Sequence, residues 1–146
     1  MPGSYTILPD RGLVYVRYEG HITLDEAQAM FLDYTRNPDS HPGQKQLIDL
    51  SRVTNWERDF IKLMRMQAEK AAVFLGDRSD FMMILYAPTP RTQEVGRHFV
   101  ASWEGVPGMV VSLQHDEAGA LAILGQPETR IDDLLADAEG VNAEST

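Results

Sequence analysis

The sequence contains no cysteine. Disulfides, thiol catalysis and thiolate metal sites are therefore excluded. Long apolar runs are also missing. The most apolar stretch, Phe81 to Ala87, is far short of the roughly 20 residues that a membrane helix needs, so no membrane insertion is expected. The opening Met1-Pro2-Gly3-Ser4-Tyr5 has neither the basic nor the apolar part of a signal peptide, and a cytoplasmic location is expected. Positive charge is scarce: 13 Lys and Arg stand against 22 Asp and Glu, for a net charge of −9. A nucleic-acid partner would require a basic patch to neutralise phosphates, and none is expected.

Chemical motifs are absent as well. G-x-S-x-G, G-x-G-x-x-G and G-x-x-x-x-G-K do not occur. The four histidines (His21, His41, His98 and His115) fall on separate elements, without the tight spacing of a zinc site. Carboxylates are paired locally at Glu57/Asp59 and at Asp132/Asp133, but neighbouring helix positions point apart, so neither reads as an acid–base pair. Ser51, at a strand end, reads as a turn former. No catalytic residue, metal ligand or cofactor is expected, and the chain is not expected to be an enzyme.

What is present is a regular alternation of elements. Ser4–Leu8 and Leu13–Glu19 read as strands around the turn signal Asp10-Arg11-Gly12, with Gly20-His21 ending the second. Thr23 caps a helix that Glu26 supports and Asn37-Pro38 ends, with Leu24, Ala27, Phe31 and Tyr34 inward. A short buried strand covers Gln46–Leu50. A second helix is expected from about Asp59 to Leu75 with Gly76 as its stop, and with Phe60, Ile61, Met64, Ala68, Ala71 and Leu75 as its core face. Phe81–Tyr86 reads as a strand covered on both faces. Thr89-Pro90 opens a third helix whose inner face is Val95, Phe99 and Trp103. Met109–Leu113 is the last strand, Asp116 caps a fourth helix stopped by Gly125, and Ile131 to Leu135 offers one further turn.

This β-β-α-β-α-β-α-β-α order predicts an α/β domain: a five-stranded mixed sheet, with an N-terminal antiparallel hairpin followed by parallel strands, and about four helices. Residues 1–135 are expected to form one domain and residues 136–146 a flexible acidic tail.

Two segments carry a resemblance. Leu47-Ile48-Asp49-Leu50-Ser51-Arg52-Val53-Thr54 looks like the D-L-S-x-V-T strand end of anti-sigma-factor antagonist (STAS) domains. Asp116-Glu117-Ala118-Gly119-Ala120-Leu121-Ala122-Ile123-Leu124 looks like the D-E-A-x-A-L-x-x-L helix of uncharacterised bacterial relatives. With the element order, the chain resembles the SpoIIAA-like fold over roughly residues 4 to 125. The resemblance implies a regulatory, protein-binding role. It also implies a phosphorylatable serine after the V-T strand end, but Asn55-Trp56-Glu57-Arg58-Asp59 offers no hydroxyl there. The same broad fold serves CRAL-TRIO-type domains that hold apolar ligands.

Two clusters remain as candidate ligand or partner contacts. Trp56 and Arg58, with Arg52, follow the central strand. Thr89, Arg91 and Thr92, with Tyr86, follow the next one. Both turns belong at the carboxyl edge of the parallel strands, where α/β sheets collect ligands and helix N-termini favour anions. The competing reading is a capped helix beside solvated arginines. Met66 and Val73, one helical period apart among charges, read either as half of a homodimer interface or as isolated surface apolar residues. The leading expectation is a non-enzymatic regulatory domain that binds a protein partner or a second copy of itself. The alternative is a carrier of a small apolar or anionic ligand.

Overall fold

The computed structural model describes residues 3–75 and 80–144. Strands β1 (Gly3–Leu8) and β2 (Leu13–Ile22) pair antiparallel around a 3-10 turn at Pro9–Arg11. Gly12, at φ 59°, closes that turn in the left-handed region where a side chain is strained. Strands β3 (Lys45–Trp56), β4 (Phe81–Tyr86) and β5 (Met109–Gln114) then add in parallel, giving the spatial order β1-β2-β3-β4-β5. The fold class is thus the expected one: a five-stranded mixed sheet with an antiparallel N-terminal hairpin.

Helices α1 (Leu24–Arg36), α2 (Phe60–Leu75) and α3 (Pro90–Trp103) make the crossovers between successive parallel strands. Their apolar residues join Val14, Val16, Ile48, Leu50, Met83 and Leu85 of the sheet in one core. The opposite sheet face, with Leu13, Tyr15, Leu47 and Ile84, is covered by α4 (Glu117–Ile123) and α5 (Ile131–Glu144). The period of two along each strand divides its side chains between these two cores. At Gly96 a Cβ would stand 2.6 Å from the Leu113 side chain, so glycine there lets α3 lie directly on β5.

Four expectations are corrected. First, β2 does not stop at Gly20-His21, nor β3 at Leu50. Both continue as a two-stranded arm, with Gly20 opposite Val53 and Ile22 opposite Trp56. Gly20 takes φ 66° beside a shift of register, so it admits a bulge in the strand rather than ending it. Second, α5 continues through residues assigned to the tail. Ile131, Leu134 and Ala138 are buried at helical spacing and anchor it to the second core. Third, the helices therefore number five among the described residues.

The fourth correction concerns the rotation of α2. Its buried face is Leu63, Met66, Gln67 and Ala71, with Phe60 and Lys70 partly covered. Ile61 and Met64, expected in the core, are 66% and 46% exposed, and Ala68 is exposed too. The true face is about one residue, or about 100°, away from the expected one. The Met66/Val73 stripe does not exist as a surface feature: Met66 is 7% exposed, and Val73, at 41%, lies on the margin of the buried arc. Gly76, the expected helix stop, lies outside the described residues. Among the described residues no helix is long and apolar enough to cross a membrane.

Candidate functional site

The turns after β3 and β4 are neighbours, as the parallel topology requires. Arg58 follows β3 and reaches Glu94 of α3 across 3.5 Å. It also donates from Nε to Asn55 Oδ1 at 3.1 Å and takes φ 63°. Arg91 is exposed one turn before Glu94. The remaining members of this cluster are committed to the fold. Thr89 and Thr92 cap α3 reciprocally: Thr92 N–H donates to Thr89 Oγ1 at 3.2 Å, and Thr89 N–H donates to Thr92 Oγ1 at 3.0 Å. Trp56 is corrected from an exposed stacking face to a core residue, 2% exposed. Its ring lies 5.6 Å from His98 and 5.5 Å from Phe99, because the β2–β3 arm folds over α3 and carries the indole inward. The carboxyl edge therefore presents Arg58, held by Glu94 and Asn55, and an exposed Arg91, while Trp56 offers no apolar platform there.

The D-L-S segment is equally occupied. The Tyr15 hydroxyl donates to the buried Asp49 carboxylate, whose other oxygen accepts from Ser51 N–H at 2.9 Å. Burial and this carboxylate push the Tyr15 phenol well above its ordinary pKa.

An apolar opening among the described residues lies elsewhere, between the sheet and helices α1–α3. A cavity of about 80 Å³ is walled by Ile48 and Leu50 of β3, Phe31 of α1, Leu63 and Met66 of α2, and Phe99 of α3, among others. A groove of about 590 Å³ runs outside it between α1 and the β1–β2 hairpin. Tyr5, Tyr18, Ile22, Ala27 and Met30 line both spaces.

Besides the rings of Tyr5, Tyr18, Tyr34 and Trp103, three polar side chains line this mainly apolar cavity: Gln46, Gln67 and Lys70. Gln46 follows the same alternation as Ile48 and Leu50, and its side-chain Nε2 is buried without a hydrogen-bond partner. Gln67 donates from Nε2 to Ser102 Oγ at 3.1 Å. The Ser102 hydroxyl proton is spent on the Phe99 carbonyl, so Ser102 must accept and Gln67 must present its NH₂ to it. That fixes the amide and leaves Gln67 Oε1 as a buried, unpartnered acceptor. Lys70, one turn further along α2, holds its ammonium 5.5 Å from the Phe31 ring centre. Burial lowers its pKa from 10.5 to about 8. The phenols of Tyr18 and Tyr34, also on this cavity, are pushed up by burial to about 12 and remain neutral.

These polar groups gather at the end of the sheet opposite the one expected. Gln46 is the second residue of β3, and Lys70 lies in the last third of α2. A crossover helix runs back along its strand, so late helix residues meet early strand residues. The sequence reading missed Gln46, Gln67 and Lys70. The available signal was the pair Gln67 and Lys70 among Phe60, Leu63, Met66 and Ala71 at helical spacing.

Compared with protein-family models and with curated proteins, the chain matches none.

Proposed function

We propose that this chain is a non-enzymatic, ligand-binding SpoIIAA-like domain, acting in the cytoplasm, that holds a small apolar molecule between its sheet and helices α1–α3. The observation that carries this reading is the apolar cavity with two unsatisfied amide atoms, Gln46 Nε2 and Gln67 Oε1, at its wall. A buried amide without a partner costs about 1–3 kcal/mol, so such groups persist where something else completes them. Ligand sites commonly combine an apolar lining with a few convergent polar groups of this kind. The Leu47–Thr54 resemblance by itself points to protein binding; the support for a carrier is that the broad fold it suggests also serves CRAL-TRIO-type domains that hold apolar ligands. Native mass spectrometry of freshly purified protein is the test. The expected result is a mass adduct that organic extraction removes. A clean apo mass, together with no binding of any apolar probe, would sink the reading.

A second reading, docking of a protein partner or of a second copy, is favoured by the outer face of α2. There Ile61, Met64 and Ala68 form an exposed apolar stripe. It replaces Met66 and Val73 as the face through which self-association is expected.

A further inference from the structure

We propose that the ligand of the cavity is an apolar carboxylic acid, its carboxylate received by the Lys70 ammonium and the side-chain amide of Gln46. The inference rests on the carrier reading above and assigns the chemical class of its cargo.

Charge separates an acid from the other candidates. Trapped water would complete Gln46 Nε2 and Gln67 Oε1, since each needs one ordinary hydrogen bond. Water would not neutralise Lys70. Among the described residues this ammonium has the Phe31 ring beside it and no ion pair, in a chain with 22 carboxylates. The cation–π contact with Phe31 compensates only part of the lost hydration. A monoanion entering the cavity supplies the missing charge. Gln46 Nε2 adds a neutral donor suited to a carboxylate oxygen. Gln67 Oε1, an acceptor, is then completed by a hydroxyl on the ligand or by one water.

The remaining lining dictates the body of the molecule. Ile48, Leu50, Leu63, Met66 and Phe99 offer no hydrogen-bonding side chains, and the Tyr5 and Tyr34 hydroxyls are already spent on Asp33 and Gln44, so the part beyond the carboxylate is mainly hydrocarbon. The cavity, at about 80 Å³, is smaller than the roughly 150 Å³ that accepts benzene. A longer chain must therefore pass the shared wall at Met30 and Tyr18 into the groove beside α1. Methionine is well suited to such a wall, because its unbranched side chain repacks at little cost.

Decanoic acid and 1-decanol, matched in their apolar bodies, are the probes. Both are titrated by calorimetry into the full chain and into Lys70→Met, with circular dichroism to verify that the variant is folded. Wild type is expected to prefer the acid by roughly tenfold or more, the scale of one charge-assisted hydrogen bond. Lys70→Met should erase that preference while binding 1-decanol as wild type does. Gln46→Leu should weaken the acid by a smaller factor. Equal binding of acid and alcohol by wild type, or a preference that survives Lys70→Met, overturns the proposal and leaves the carrier reading intact. Failure of both probes to bind, with a clean apo mass spectrum, overturns both.

Discussion

The Lys70 ammonium stands 5.5 Å from the centre of the Phe31 ring, so α2 presents a cation to an aromatic face of α1. Burial holds the Lys70 pKa near 8, below its ordinary 10.5. Between those values the folded chain has released a proton that the unfolded chain still binds, so stability rises with pH across that window. Below about pH 8 the cost of the buried charge is fully present. Lys70→Met is therefore expected to melt at a higher temperature than ligand-free wild type at neutral pH. The difference should shrink as pH rises toward about 10. Tyr18 and Tyr34, with pKa values raised to about 12, stay neutral over that range and do not contribute. Thermal melts of both proteins across the series check this; a difference independent of pH would refute it.

Arg11 grips Glu128 through both ends of its guanidinium, at 2.8 and 2.9 Å, and also reaches Gln126 Oε1 at 2.9 Å. This fork ties the β1–β2 turn to the segment between α4 and α5. It holds the Glu128 carboxyl down at about 2, while the adjacent Asp137 carboxyl is raised through its hydrogen bond with Glu128. A lowered carboxyl contributes stability above its unfolded pKa and loses it as pH falls through the folded value. Glu128→Gln should cost about 2 kcal/mol at neutral pH, the scale of hydrogen bonds to a charged group. The gap to wild type should stay constant down to about pH 4.5 and close toward pH 2. Urea unfolding at a series of pH values measures it; no gap at neutral pH would mean the fork carries no net stability, and a gap that persists unchanged to pH 2 would mean it does not arise from the Glu128 charge.

How far the sequence could be read follows from which residues obey a simple pattern. Thr23, Thr89 and Asp116 are caps whose side chains accept from the third helical residue, and all three helix starts were legible for that reason. The continuous apolar run at Phe81–Tyr86 marked a strand covered on both faces, and the two cores bear this out. The site was not legible, because its residues break the pattern that finds the fold. Gln67 and Lys70 are polar groups on a buried helix face. Their presence moved the expected apolar face of α2 onto Ile61, Met64 and Ala68. Trp56 failed for a different reason. A tryptophan after a short strand reads as surface, whereas pairing of Ile22 with Trp56 extends both strands and delivers the indole to α3. That pairing is a non-local event with no local sequence mark except Gly20.

The rotation of α2 also decides which substitutions report on self-association. Ile61 and Met64 lie one turn apart on its outer face, with Ala68 continuing the stripe. Removing such side chains from water against a second copy would contribute roughly 25 cal/mol for each Å² of apolar surface covered. A twofold arrangement would double every contact, since the same patch serves both copies. Wild type is thus expected to sediment as a dimer at high micromolar concentration, and Ile61→Lys with Met64→Lys as a monomer. Both side chains are exposed, so the double variant should change unfolding stability by no more than about 0.5 kcal/mol per site. Met66→Lys is the contrasting case. Met66 lines the cavity in the main core, and a second ammonium there, one turn from Lys70, would lack a partner as well. Substantial destabilisation, rather than a clean shift to monomer, is expected. Sedimentation velocity with thermal melts separates the two faces: a wild type that stays monomeric removes the outer stripe from consideration, and a well-folded Met66→Lys would show that the helix is rotated otherwise.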